Sequence, residues 1–237
     1  MLFMFSWLFL TIILGSLIAM SSRRLGYEII IAGFVGMLVI AISVAGKSGA
    51  IPGLENFTLS ASIFVYSATF IFTDVLSEIW GKEISRKAVY AGAVIYPLLF
   101  VTTQFSVIWE PHPIWAANQE AYAAIMGTTV RIVIASFIAF VISQLHDVWS
   151  FHVLKRWTNG KYFWLRKNVS TIASQFIDTV IFYSIGFYGV FPIFELIVFS
   201  FAVKAFIAIV DTPFVHFVVH FLRKDPAIRE LEANHYK

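Results

Sequence analysis

The sequence predicts an all-α protein, a polytopic integral membrane bundle of about seven transmembrane helices. Of its 237 residues, 59% are hydrophobic and only 13% are charged, whereas an average soluble domain is about 25% charged. The mean hydropathy is +0.81. Apolar runs also recur at about the 20-residue length that a bilayer crossing needs. One transmembrane domain over residues 1–237 accounts for the whole length.

Each predicted span is an apolar run bounded by charged residues, glycine or proline. The first run has its positive charges after it, unlike a secretory signal peptide, so we expect a retained helix. The third begins at Phe57 and ends in a basic turn with Lys82, Arg86 and Lys87. A loop over Lys47–Phe57, with Pro52, precedes it. The other spans are Leu2–Met20, Tyr27–Ala45, Ala88–Trp109, Thr128–Val153, Val169–Tyr188 and Glu195–Leu222.

The distribution of Lys and Arg predicts the orientation. With alternating connections, nearly all of them fall on one side, including the segment Lys155–Asn168 and the tail 223–237, and only Lys47 falls on the other. Positive residues mark cytoplasmic loops, so the N-terminus is expected outside and the C-terminus in the cytoplasm. We interpret the basic loops as topology signals and expect no nucleic-acid partner.

Two carboxylates interrupt the third span. Asp74 and Glu78 are four residues apart and share a helix face with Ser67. An acid exposed to lipid costs roughly 2.5–3.5 kcal/mol on insertion scales, so we expect both to face protein or water. The alternative is that they lie close enough to the inner interface to be hydrated.

The same local pattern occurs in the fifth and sixth spans, as SQLHD and SQFID. Each pattern puts an amide and a carboxylate side by side, Gln144 with Asp147 and Gln175 with Asp178. A carboxylate accepts two parallel hydrogen bonds from a guanine-like edge, and an amide pairs with the neighbouring ring atoms. Aromatic side chains that could stack on such a ring are Phe70, Phe72, Trp80, Trp149, Phe176, Phe182 and Tyr183.

Lys204 lies near the middle of the seventh span and cannot easily reach water. One interpretation places it in the substrate site, and another pairs it with Asp178, or with Asp211, merely to fix helix packing. Motifs for a phosphate-binding loop, a serine nucleophile or a zinc protease are absent, as is cysteine, so we expect no catalytic residue, metal or cofactor. The predicted substrate-binding residues are Asp74, Glu78, Gln144, Asp147, Gln175, Asp178 and Lys204.

Three separated stretches, Thr73–Gly92, Ala135–Thr158 and Trp164–Thr179, resemble the queuosine precursor transporter family, once grouped with vitamin uptake transporters. The resemblance covers residues 41–222 and leaves an extra N-terminal helix ahead of a six-helix core. It implies import of the 7-deazaguanine bases 7-cyano-7-deazaguanine and 7-aminomethyl-7-deazaguanine for salvage into the tRNA nucleoside queuosine. It also places the seven predicted residues on motif positions.

The sequence therefore predicts a multi-pass importer in the plasma (inner) membrane, with a small base and the lipid bilayer as partners. A first alternative is a substrate-binding membrane subunit of an ATP-driven vitamin-type importer. A second is an intramembrane aspartate-dependent enzyme. Both a monomer and a homodimer are compatible with the sequence.

Overall fold

The computed structural model describes residues 2–51, 54–127, 129–190 and 192–234, and this part of the chain is mostly helical. A 3₁₀ turn, Ala116–Asn118, precedes α6. The strands are β1 (Ser48–Ile51) and β2 (Leu54–Ser60), and the helices are α1 (Leu2–Leu25), α2 (Glu28–Ser43), α3 (Ser62–Ala68), α4 (Phe70–Ile79), α5 (Gly81–Ile108), α6 (Gln119–Met126), α7 (Val130–Trp157), α8 (Phe163–Phe187), α9 (Ile193–Val210), α10 (Thr212–Leu222) and α11 (Pro226–Asn234).

Five helical stretches of the described chain are long and apolar enough to cross a membrane. They are α1, α3 with α4, α5, α7, and α9 with α10. α2 is apolar but shorter, and α8 has the length but contains many polar residues. The all-α membrane bundle is thus confirmed, whereas the count of seven spans and the orientation of the termini stay predictions.

The stretch formed by α3 and α4 lies at the centre of the bundle. Its membrane-length window is 89% buried, against 11% for α5 and 28% for α1. α1, α2, α7, α9 and α10 all pack against it. α3 contacts α9 and α4 contacts α10, so the two broken stretches run parallel. The helix that carries Asp74 and Glu78 is therefore the one around which the others assemble.

Close helix packing beside this centre depends on Gly92 of α5. A Cβ at this position would come within 2.8 Å of the rings of Phe34 on α2 and Phe140 on α7. Small residues let helix backbones approach in membranes, where no hydrophobic force drives them together. Gly92 thus lets α2, α5 and α7 meet.

The predicted basic turn after the third span is wrong. Gly81 adopts a φ of +82°, which glycine tolerates without strain, and α5 starts at this residue. Lys82, Arg86 and Lys87 consequently lie on the first two turns of α5. The reversal between α4 and α5 needs only Trp80 and Gly81.

The predicted basic loop Lys155–Asn168 is also much shorter than expected. α7 continues to Trp157 and α8 begins at Phe163, with Asn159 and Gly160 at positive φ in the turn between them. Arg166 and Lys167 are therefore helical, and both are fully buried. Their interpretation as loop charges that merely set topology is wrong.

Two further boundaries differ from prediction. β1 and β2 form an antiparallel hairpin that pairs Ser48 with Ser60, so the third span begins at Ser62 and not at Phe57. The predicted charged tail contains a helix, α11 (Pro226–Asn234), and this helix packs against α4. The turn expected at Pro52, the span start expected at Thr128 and the end of the tail at 235–237 lie outside the described residues.

Candidate substrate site

α8 buries a polar stripe. Its outward residues, such as Trp164, Val169 and Phe176, are apolar and exposed, as suits a helix that meets lipid. The buried positions recur every three to four residues and thus form one face. They are Arg166, Lys167, Ser170, Thr171, Ser174, Gln175, Asp178 and Thr179. From Arg166 to Asp178 the stripe extends about 18 Å at the helical rise, more than half the thickness of a bilayer core of about 30 Å.

The first layer along the stripe is centred on Glu78. One guanidinium nitrogen of Arg166 lies 2.5 and 2.6 Å from the two carboxylate oxygens. Arg223 donates at 2.5 Å, and Lys155 lies 3.1 Å away. Arg223 also binds Glu232 of α11, whose carboxylate raises the pKa of Arg223 above its usual value. This glutamate cluster joins α4, α7, α8, the end of α10 and α11.

The second layer is centred on Lys167. Its ammonium group donates to Asp211 and, at 2.6 Å, to the carbonyl oxygen of Ala208. One oxygen of Asp74 lies 3.9 Å from it. Asp147 lies within electrostatic reach of Lys167. We call these residues, Lys167 with Asp74, Asp147 and Asp211, the lysine cluster.

The third layer is a pair of amides. Ser143 donates to Asp178 across the antiparallel helices α7 and α8, and His146 lies 2.8 Å from Ser174. These contacts fix a register in which Gln144 and Gln175 occupy the same level. Both side chains are fully buried, and neither amide has a hydrogen-bond partner among the described residues. Buried amides are normally paired, so this amide pair is the feature most in need of a ligand.

The fourth layer is a paired aspartate. Lys204 of α9 donates to Asp178 at 2.6 Å, and Tyr66 of α3 donates at 2.7 Å. With Ser143, both carboxylate oxygens are occupied. The interpretation of Asp178 and Lys204 as a buried ion pair that fixes helix packing is the one this geometry favours.

Two helix breaks flank these layers. The stretch α3–α4 is interrupted at Thr69, and α9–α10 at Asp211. Pro213 lacks the N–H that would bond to the carbonyl of residue 209, which explains the second break. Broken helices at membrane depth occur where the freed backbone groups line a site.

All seven predicted residues are buried and face the interior, but they do not form one equivalent set. Glu78 belongs to the glutamate cluster and Asp178 with Lys204 to the ion pair, so their oxygens and nitrogen are engaged. Asp74, Gln144, Asp147 and Gln175 retain side-chain oxygens without a hydrogen-bond partner in the described chain. Of the predicted stacking rings, Trp149 and Phe176 point outward, with 53% and 48% of their surface exposed, so that expectation is wrong for these two.

The polar core also contains four residues that were not predicted from the sequence to belong to the substrate site, namely Arg166, Lys167, Asp211 and Tyr66. Asp211 was considered only as a partner of Lys204, whereas it binds Lys167. Arg166 and Lys167 could have been assigned to the core from the sequence, because the polar residues of α8 recur at helical spacing from Thr179 back to Arg166. Tyr66 gave no such signal, because tyrosines are common throughout the chain.

Comparison with known proteins gives one family and several relatives. Residues 60–218 match a family model described as "Putative vitamin uptake transporter". A "Probable queuosine precursor transporter" of Bacillus subtilis (strain 168) is 30% identical over 169 residues, which cover 69% of this chain and 73% of that protein. One of Haemophilus influenzae is 29% identical, over 67% and 66% of the two chains. The "Queuosine precursor transporter" of Escherichia coli (strain K12) is 26% identical, over 56% and 57%. No solved structure matches.

Proposed function

Since this chain belongs to the queuosine precursor transporter family, we propose that it imports queuosine precursors across the plasma membrane. It is a multi-pass membrane protein of a transporter family and not an enzyme. The substrates we assign to it are 7-cyano-7-deazaguanine and 7-aminomethyl-7-deazaguanine. Both are flat bases with a guanine-type edge.

The amide pair is the observation that carries this proposal. Gln144 and Gln175 are both fully buried, and each offers a donor and an acceptor without a hydrogen-bond partner in the described chain. A deazaguanine ring presents a carbonyl acceptor and ring N–H donors. A ring held between the two amides would satisfy both of them.

Asp147 is the carboxylate we assign to the guanine-type edge. It lies one turn from Gln144 on the same buried face of α7, and its Oδ1 atom has no hydrogen-bond partner in the described chain. The ring N–H and the exocyclic amino group of the base would donate to it in parallel. An apolar pocket could not distinguish such a base from a ring of the same shape without these donors, whereas a buried polar site discriminates strongly.

The burial of the site implies alternating access. Gln144 and Gln175 are fully buried, so a base reaches them only when the bundle opens. The polar stripe leads from the amide pair through the lysine cluster to the glutamate cluster, on the side where Lys and Arg are concentrated. We assign this end to the cytoplasmic exit. Asp178 and Lys204 act in this scheme by holding α8 to α9.

Uptake of labelled base into cells that cannot synthesise the precursor tests the proposal. We expect the wild-type chain to restore accumulation and Gln175→Leu to abolish it. The neighbouring variant Phe176→Leu, on the exposed face of the same helix, serves as the matched control and should transport normally. Wild-type uptake by Gln175→Leu, at equal membrane expression, would overturn the assigned site.

The same assay in liposomes separates this function from the partner-driven alternative. The purified single chain should exchange labelled base for unlabelled base without ATP. An absolute need for a second, ATP-hydrolysing protein would instead identify the chain as a binding subunit.

A further inference from the structure

The lysine cluster holds more acid than base. Asp74, Asp147 and Asp211 face a single ammonium group, and the four side chains are at most 1% exposed. The neighbouring cations are already engaged, because Arg166 binds Glu78 and Lys204 binds Asp178. An uncompensated buried carboxylate costs several kcal/mol. In the closed bundle the cluster therefore requires another positive charge or a proton, whereas a bundle opened to water can hold it without one. A base that favours the closed bundle draws in the proton.

Unpaired atoms within the cluster point to the same conclusion. Both oxygens of Asp74, one of Asp147 and one of Asp211 have no hydrogen-bond partner among the described residues. A protonated carboxyl group supplies a donor to such acceptors and removes one charge. A proton would therefore stabilise the cluster in two ways, by supplying a hydrogen-bond donor and by reducing the negative charge.

A proton suits this geometry better than a metal ion does. The ammonium group of Lys167 contacts Asp211 and stands 3.9 Å from Asp74, where a bound cation would bridge the two carboxylates. In the part of the chain that the structure describes, no group of three or more acidic or histidine side chains has the arrangement of a metal site. The position between the acids belongs to the lysine.

We infer that the lysine cluster is a proton-binding site, with Asp74 as the group that takes the proton, and that it couples base import to the proton gradient. This inference rests on the proposed function. The charged groups that face Asp74 are Lys167 of α8, Asp147 of α7, Asp211 between α9 and α10, and Glu78 one turn along α4. Asp74 is the acid among the three with neither oxygen hydrogen-bonded.

Coupling follows from the position of Asp147. When the base donates its hydrogen bonds to Asp147, that carboxylate is held in its charged form. Its charge then favours a proton on the nearby Asp74. Linkage is reciprocal, so a proton on Asp74 strengthens base binding to the same extent. Base and proton would enter together.

The test uses the full chain in liposomes with labelled 7-cyano-7-deazaguanine. Two quantities are measured. The first is the amount of labelled base that the liposomes accumulate when the outside is more acidic than the inside, and the second is the amount that they exchange when the pH is equal on both sides. The ratio of the first amount to the second reports the coupling of base transport to the proton gradient. We expect a ratio well above one for the wild type. The control Glu120→Gln, at an exposed position on α6, should give the same ratio. Asp74→Asn should give a ratio of about one, because its amide cannot take up a proton.

A second measurement keeps the inference testable if Asp74→Asn does not fold. Adding base to the wild-type protein in weak buffer should draw about one proton per base from solution, read with a pH indicator. Absence of that proton uptake, a gradient response retained by Asp74→Asn, or accumulation driven by sodium instead of protons would each overturn the proton site. A wild-type chain that neither accumulates nor exchanges base would overturn the proposed function itself.

Discussion

The guanidinium group of Arg166 lies 2.5 and 2.6 Å from the two carboxylate oxygens of Glu78, inside the protein and without exposure to solvent. The guanidinium carbon of Arg166 also lies 5.5 Å from the ring centroids of both Phe151 and Phe163, within cation–π range. Lys155 and Arg223 complete the glutamate cluster around the same carboxylate. One side chain of the central helix thus closes the end of the polar stripe by holding α7, α8 and α10 together.

Removing the charge of Glu78 should destabilise the protein strongly. Glu78→Gln leaves Arg166, Lys155 and Arg223 without their shared carboxylate, and breaking a buried ion pair costs about 3–5 kcal/mol. Thermal unfolding of the purified protein in detergent measures the change. Glu83→Gln is the control, because that side chain is largely exposed on α5. Equal melting temperatures for Glu78→Gln and wild type would contradict the structural role.

Removing Arg223, the partly exposed member of the glutamate cluster, should make the polar stripe of α8 more accessible to solvent. Arg223→Ala removes one charged hydrogen bond to Glu78 and the link to Glu232. Loss of about 1.4 kcal/mol corresponds to a tenfold change in an equilibrium. We therefore expect a thiol reagent to label a reporter at Thr171→Cys about tenfold faster in this background. The reporter is specific because the chain has no cysteine of its own. Lys224→Ala, an exposed neighbour, should leave the labelling rate unchanged.

Replacing an amide of the pair should abolish function without loss of stability. Gln144→Leu has similar volume, and the amide it removes has no hydrogen-bond partner in the described chain. Exchanging such a buried polar group for an apolar one is neutral or stabilising. We expect a melting temperature equal to or above that of wild type together with lost base uptake. A clear fall in melting temperature would mean that the amide is paired within the folded protein.

The ion pair between Asp178 and Lys204 should behave as a coupled structural unit. Asp178→Asn and Lys204→Met alone each leave one buried charge uncompensated, whereas the double variant removes both. The stability of the double variant should therefore exceed the value expected from adding the single effects, as a double-mutant cycle on thermal unfolding would show. Strictly additive losses of stability would show that the two residues are not coupled, and Asp178 would then again be a candidate ligand of the base.

Sequence reasoning identified the central helix because acids inside an apolar run have few explanations. It also identified the amide and carboxylate of each repeated motif, since their spacing alone puts them on one face. The resemblance to a known family then supplied a class of substrate. Each of these inferences depends on local spacing within a single helix.

The remaining details depend on contacts between helices, which local spacing does not contain. The sequence predicts a loop at Arg166 and Lys167. In the structure the chain turns earlier, at Asn159 and Gly160, so both residues lie inside α8. Asp211 is far from Lys167 in the sequence, and the packing of α8 against α9 and α10 brings the two together. The hairpin β1–β2 was not predicted because proline and glycine at residues 49–53 favour a loop over that stretch.

A structure of the protein bound to 7-cyano-7-deazaguanine would locate the base itself. We expect a ring lying between the side-chain amides of Gln144 and Gln175, with its guanine-type edge on Asp147. A ring bound elsewhere would contradict this expectation, for example in the apolar groove of about 370 Å³ between α1 and α10, which Leu17 and Phe217 line.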